Sequence, residues 1–459
     1  MSENSTACAK CPLETITHIL ENIKEDIGSL LLSSLVSHLW RQAALPLLFS
    51  TAYLRDEADF FRWQEIAQAL PSVPLFVRRF VYEPGSADKR NLKQKYAVTS
   101  QACIGEIMLA MRKGAPSEDI TIALPHMPGV VMLEWHTNMT QGIVCTSQVL
   151  QFLSPFVNIT RLKWSGEFAT VCDAFTFLGL FLQLEHLRLA AIGVQKLTSA
   201  PSQFTGDMTN LKTITIDECR SSLDWLVDHV LATSPPHDLH CIQYETDLIP
   251  FSPPAFSHLL DIVGHTIKKL VIQPPSNHDS KWSSIMCHPS YICSGPFMTK
   301  IPVFAARELP HLHALGFAII FLGDRFKPNI PFRWCSSLFE KFPQTPQLRR
   351  LTINVYVADE SEIDELLREG YFDWKGLVDR IGSFTSLEKF TFLVSMETEF
   401  GDRIKSEYEG KIKAALVGLK DKLCVDWCES VFLPYHTHSE WDTVDENPSW
   451  RLPALPQAD

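Results

Sequence analysis

The stretch ITRLKW at residues 159–164 and its counterparts LEHLRL at 184–189 and LKTITI at 211–216 share one pattern of apolar residues. In each, an apolar residue is followed by two residues of any type, a second apolar residue, one residue of any type and a third apolar residue. The last two apolar positions have the period of two that is typical of a strand with one buried face. The pattern therefore predicts a series of short strands.

The same pattern occurs ten times along the 459 residues. Helical apolar stripes, such as the one from Val171 to Leu178, stand between neighbouring occurrences. The middle apolar residues of the six occurrences from Leu133 to Leu270 are 25 to 29 positions apart. Units of this size, each with one strand and one helix, bury their apolar faces by stacking on their neighbours. The middle residues of all ten are Phe80, Leu133, Leu162, Leu187, Ile214, Ile242, Leu270, Leu315, Leu351 and Phe390.

This spacing resembles that of leucine-rich repeats. The resemblance is partial, because the Asn or Cys expected three positions after the third apolar residue occurs only as Asn138 and Cys219. It implies an α/β fold over residues 53–400, an irregular leucine-rich-repeat solenoid of alternating helix and parallel strand, with an insertion at about 274–310. A non-repetitive α/β domain whose parallel strands share the pattern is the alternative.

On leucine-rich repeats the residue between the last two apolar positions points away from the core. The resemblance therefore implies that five side chains line a concave strand face and are candidates for binding a target protein. A strand face that is merely solvated is the alternative. The five residues are Glu134, Lys163, Arg188, Thr215 and Gln243.

The first fifty residues carry three further helical signals. Apolar residues recur at three and four positions from Leu13 to Ile23, directly after Pro12, and predict a short helix. A second stripe runs from Ile27 to Trp40 and predicts a second helix that is apolar over more than one face. A third short element begins near Leu45.

Within these helices, the segments CPLETI at residues 11–16, LVSHLWR at 35–41 and LLF at 47–49 resemble the F-box motif in order and spacing. Cys11 departs from the pattern, because the family usually has leucine there. The resemblance covers about residues 10–52, and the segment that follows is similar to that of the F-box families expanded in mushroom-forming fungi. The positions that match the motif are Pro12, Glu14, Val36, Ser37, Trp40, Leu48 and Phe49.

An F-box implies a partner, the Skp-family adaptor of a cullin-RING ubiquitin ligase. About 40 residues cannot bury a stable core alone, so we expect apolar side chains on these helices that another surface must cover. A helical cap on the end of the repeats is the alternative. The residues that the resemblance assigns to the adaptor are Pro12, Leu13, Glu14, Ile16, Leu20, Leu35, Val36 and Trp40.

Signals for other classes of protein are weak. The chain has no G-x-S-x-G elbow, phosphate-binding glycine loop or H-E-x-x-H motif, so we expect no enzyme, cofactor or metal site. A net charge of −12 disfavours nucleic-acid binding. The first twenty residues lack a signal-peptide pattern and no apolar run reaches membrane-spanning length, which predicts an intracellular protein, cytoplasmic or nuclear.

The sequence thus predicts a substrate-recognition adaptor of a Skp-cullin-F-box type ubiquitin ligase, whose repeats bind a target that the sequence does not identify. Residues 401–459 are expected to form a capping helix followed by an acidic tail rich in Pro and Trp. A leucine-rich-repeat scaffold not linked to ubiquitination is the main alternative, and an α/β enzyme is a remote one.

Overall fold

A computed structural model describes most of the chain. Residues 274–308 of the predicted insertion at about 274–310, Asn138, Cys219 and the tail 431–459 lie outside the described residues. The described residues are 11–24, 26–55, 57–83, 124–136, 144–145, 147–196, 203–216, 223–244, 253–272, 309–320, 339, 347–357, 359–368, 372–396, 401–419 and 421–429.

The chain divides into two compact units, Met1–Leu239 and His240–Asp459. Within each unit the strands lie side by side in chain order. The first unit contains β1 (Thr51–Leu54), β2 (Arg79–Tyr82), β3 (Met132–His136), β4 (Arg161–Thr170), β5 (His186–Lys196) and β6 (Thr213–Ile216). The second contains β7 (Cys241–Tyr244), β8 (Lys269–Ile272), β9 (Ala314–Ile320), β10 (Arg350–Val357), β11 (Lys389–Met396) and β12 (Leu423–Glu429). Neighbouring strands within a unit pair in parallel.

Helices lie between several of these strands, for example between β1 and β2, β4 and β5, and β7 and β8, which confirms the predicted α/β class with parallel strands. The first unit has α1 (Leu13–Glu21), α2 (Ile27–Ser34), α3 (His38–Leu48), α4 (Glu57–Ala69), α5 (Ser147–Leu153), α6 (Val171–Leu178) and a π-helix at Leu226–Leu231. The second has α7 (Pro253–Val263), α8 (Glu360–Leu367), α9 (Trp374–Gly382) and α10 (Asp402–Ala415).

The repeated apolar pattern forms the core of the first unit. Leu133, Leu162, Leu187 and Ile214, the middle residues of four successive patterns, lie opposite one another on β3 to β6 and are buried. The third residues of the pattern form a second buried row, in which the rings of Trp135 and Trp164 are stacked 6.2 Å apart. Helices pack on this apolar face, since rings from α5 and α6 contact the two tryptophans.

The second predicted helix is in fact two helices. The apolar stripe from Ile27 to Trp40 predicts one continuous helix, but α2 ends at Ser34 and α3 begins at His38. Ser37 causes the new start, because its hydroxyl accepts a hydrogen bond from the backbone N–H of Trp40 at 3.3 Å and so caps α3. The break leaves Leu35 and Val36 in the connection between the two helices.

The C-terminal helix is followed by a strand that the sequence analysis does not predict. The helix α10 ends at Ala415 and a short 3₁₀ turn follows at Val417–Leu419. The chain then enters β12, whose Leu423 lies opposite Phe390 of β11. The helix expected to cap the repeats therefore precedes another strand of the same kind.

Candidate interaction surfaces

An apolar surface lies on α2 and on the connection that follows it. We call it the α2 patch and define it as Ile27, Leu31, Leu32, Leu35 and Val36. All five side chains are exposed, and Leu35 and Leu32 have exposed fractions of 72% and 69%. Ile27, Leu31 and Leu32 lie on α2, and Leu35 and Val36 follow directly in the connection to α3, whereas Leu30 of α2 is buried. Isolated exposed aliphatic residues are ordinary, but a contiguous group of this size is typical of a binding surface.

The three N-terminal helices have a small core of their own, so the exposure of the α2 patch does not mean that the helices are unpacked. Ile16 and Leu20 of α1 meet Leu30 of α2 and Ala43 and Ala44 of α3, and all five are buried. Partly buried residues, including Leu13 and Trp40, surround this core. The patch is thus an outer surface on a packed scaffold.

The residues predicted to bind an adaptor separate into an outer and an inner group. Leu35, Val36, Pro12 and Glu14 are exposed and can meet a partner directly. Ile16 and Leu20 are fully buried, and Leu13 and Trp40 are half-buried against them, so these four hold the helices together. Ile27, Leu31 and Leu32 are exposed residues that the prediction leaves out, although the helical stripe through Ile27 and Leu31 signals them.

A second surface is the face of the first unit's sheet that points away from the apolar core. Four of the five predicted target-binding residues form one row on it, because Glu134, Lys163, Arg188 and Thr215 lie opposite one another on β3 to β6. Glu134 is buried, whereas the other three are half-exposed. We call this surface the polar face of the first unit.

A second row runs parallel to the first, two residues nearer the start of each strand. It contains Arg79, Met132, Arg161, His186 and Thr213 on β2 to β6. The predicted target-binding residues do not include this row, although the period of two that places Lys163 on this face places Arg161 there as well. The polar face is therefore more basic than predicted.

Gln243, the fifth predicted target-binding residue, belongs to the second unit. It lies on β7 opposite Val271 of β8 and is buried. The positions that follow in the same row are Gly316, Thr352, Thr391 and Cys424. This row carries no ionic side chain, so it differs in chemistry from its counterpart in the first unit.

Glu134 is the centre of a charged cluster on the polar face of the first unit. Its Oε1 lies 2.6 Å from Nη2 of Arg79, and its Oε2 lies 3.6 Å from Nε2 of His136 and 3.8 Å from Nζ of Lys163. Burial raises the pKa of Glu134, but the interactions with His136, Lys163 and Arg79 outweigh burial and lower this pKa to about 2. The carboxylate is therefore ionised and holds two cationic side chains in place.

The pH dependence of stability tests this cluster. Folding lowers the pKa of Glu134 from an ordinary 4.5 to about 2, so its stabilisation is complete above about pH 5 and is lost as the pH falls towards 2. By pH 3 we expect a loss of about 2 kcal/mol. Glu134→Gln should lack this part of the pH dependence in urea unfolding measured at pH 6 and pH 3. Equal pH dependence in the two proteins would contradict the assignment.

Cys145 is a thiol close to a carboxylate in the first unit. Burial and the charge of Asp173 raise the pKa of the Cys145 thiol to about 12, so this thiol stays protonated and is a poor nucleophile. The described part of the chain contains no group of three or more His, Cys, Asp or Glu arranged to hold a metal ion. None of its helices combines the length and the hydropathy of a membrane span.

No protein-family model matches the chain, and no curated protein matches its sequence. We therefore infer function from the α2 patch and the polar face of the first unit.

Proposed function

We propose that the chain is the substrate-recognition adaptor of a Skp-cullin-F-box type ubiquitin ligase. In this proposal α1 to α3 are an F-box that binds a Skp-family adaptor, and the following strands and helices are irregular leucine-rich repeats that bind a target protein. The observation that carries the proposal is the α2 patch, which lies within the segment that resembles the F-box motif. The separate core of α1 to α3 also supports the proposal, because the helices pack together without burying the patch.

Burying the α2 patch would supply much of the binding energy. Full burial of a large aliphatic side chain contributes about 1.5–3 kcal/mol, so each of the five residues, which are 52% to 72% exposed, contributes about 1–2 kcal/mol. Association also costs translational and side-chain entropy, which part of this gain offsets. A dissociation constant of about 1 μM corresponds to about 8 kcal/mol of net binding energy, so contacts beyond the patch would have to add to it.

The proposed mechanism involves no bond chemistry by this chain. The patch would fix the chain to the ligase, and the sheet faces would hold a target near the ubiquitin-charged enzyme. Tethering raises the effective concentration of the target's lysines around that enzyme.

Gel filtration of purified proteins tests the proposal. The full chain, mixed with a Skp-family adaptor from a mushroom-forming fungus and the matching cullin, should elute as one complex with one copy of each. The adaptor alone should also bind the chain, whereas the cullin alone should not, because the adaptor lies between them. If chain and adaptor elute separately at micromolar concentration, the ubiquitin-ligase proposal fails.

A further inference from the structure

The polar face of the first unit carries more positive than negative side chains in a chain of net charge −12. On β4 and β5 the two rows contain Arg161, Lys163 and Arg188 and no carboxylate. Glu185 contacts Lys212 at 2.9 Å, and Glu167, further along β4, accepts a hydrogen bond from Gln195 at 3.0 Å.

Glu134 orders two of the cations on this face, Arg79 and Lys163, more than it neutralises them. One carboxylate contacts Arg79 and Lys163 together, so the group keeps a net positive charge. The side chains of Lys163 and Glu134 are 23% and 5% exposed, which restricts their conformations before any partner arrives. Side chains that are ordered in advance lose less entropy on binding.

The spacing of the cations suits an extended segment. Neighbouring strands lie about 4.8 Å apart, and side chains on one face of a strand repeat at about 7 Å. Arg161 and Lys163 are therefore about 7 Å apart along β4, with Arg188 on the adjacent strand. An extended peptide places its alternate side chains at the same interval of about 7 Å. Acidic residues at alternate positions of such a peptide would form charge-assisted hydrogen bonds with Arg161, Lys163 and Arg188.

We infer that the polar face of the first unit binds an acidic, extended segment of the target protein. This inference deepens the proposed function by giving the chemistry of the target, and it rests on that function only for the fate of the bound protein. Arg161, Lys163 and Arg188 are the recognising side chains. Glu134 is a positioning residue that acts through Lys163 and Arg79.

Nucleic acid fits the same surface less well. Binding to a phosphate backbone depends on dense clusters of Lys and Arg that release many counterions. Here a buried glutamate stands within the rows, and the chain as a whole is strongly acidic. These charges repel a long polyanion but tolerate a short acidic segment.

Selection from a random displayed-peptide library tests the inference with the full chain as bait. We compare the native chain with Lys163→Gln/Arg188→Gln and with Lys268→Gln/Lys375→Gln, a control that removes two exposed cations elsewhere. The native chain and the control should enrich peptides with Asp or Glu at alternate positions. The first variant should bind the enriched peptide at least about tenfold more weakly in fluorescence anisotropy, the cost of one or two lost charge-assisted hydrogen bonds.

Three results would overturn the inference. The native chain could select peptides without an acidic excess, the two variants could bind the acidic peptide equally, or single-stranded DNA could bind the native chain as tightly as the peptide. Equal melting temperatures of the variants exclude unfolding as the cause of lost binding, and Arg188→Gln alone provides a milder change. Adaptor binding is measured separately in all variants, so failure of the ligase proposal and failure of this inference are distinguishable.

Discussion

Replacing Leu35 and Val36 by aspartate is expected to lower the affinity for a Skp-family adaptor at least about 100-fold, equivalent to about 2.7 kcal/mol. The two side chains are 72% and 63% exposed, so the free protein loses little packing energy. In the complex, two apolar contacts are lost and two carboxylates must be desolvated in an apolar interface. Isothermal titration calorimetry with the purified adaptor measures the change.

A matched control distinguishes the patch from exposed apolar residues in general. Leu182 and Val417 are 54% and 65% exposed and lie outside the three N-terminal helices. The variant Leu182→Asp/Val417→Asp should bind the adaptor as the native chain does. Both double variants should keep the native melting temperature within about 2 °C, since surface substitutions change stability by about 0.5 kcal/mol. An equal loss of affinity in both variants would contradict a specific role for the α2 patch.

Trp164→Ala is expected to destabilise the fold by about 3–5 kcal/mol, more than any other single substitution considered. The Trp164 ring is fully buried, stacks on Phe168 with centroids 4.5 Å apart and meets the edge of Phe177 at 4.2 Å. Its Nε1 donates a hydrogen bond of 2.9 Å to the carbonyl of Gly166, a residue with φ 131° that only glycine adopts readily. Removing the ring therefore leaves a large cavity and an unpaired carbonyl.

Differential scanning calorimetry measures this effect as a fall in melting temperature of about 6–20 °C. Trp164→Phe keeps part of the ring contacts and should fall between the native protein and the alanine variant. Phe61→Ala removes a ring that is 41% exposed and should lower the melting temperature much less. A fall for Trp164→Ala no larger than that for Phe61→Ala would contradict the importance of the aromatic core.

The fold is largely predictable from the sequence because the recurring apolar pattern indicates both the two-residue period of a strand and the 25- to 29-residue length of a repeat. Two strands, β1 and β12, do not show the full pattern, and they indicate why the prediction is incomplete. In β1 the middle apolar position is Ala52, which is too small to stand out. Three residues before Leu423 of β12 the sequence has lysine, so the first apolar residue is missing. Both strands form because a neighbouring strand offers them backbone partners, which a single sequence does not reveal.

The surfaces are predictable in part for related reasons. Periodicity of two places Glu134, Lys163 and Arg188 on one face, but only the register between strands makes them neighbours. Helical periodicity marks Leu35 and Val36 as apolar without distinguishing core from surface. The local Ser37 cap starts α3 at His38 and leaves both residues in the connection after α2, where they are exposed. Ile16 and Leu20 match the expected helix stripe equally well and are buried.

Amide hydrogen exchange of the full chain, with and without a saturating Skp-family adaptor, tests the central claim most directly. The account predicts slower exchange in α1 to α3 when the adaptor is present, strongest around Leu30 to Val36, and unchanged exchange in β3 to β6. Unchanged exchange across residues 13–48, or protection confined to the strands, would contradict the claim that a second protein covers the α2 patch.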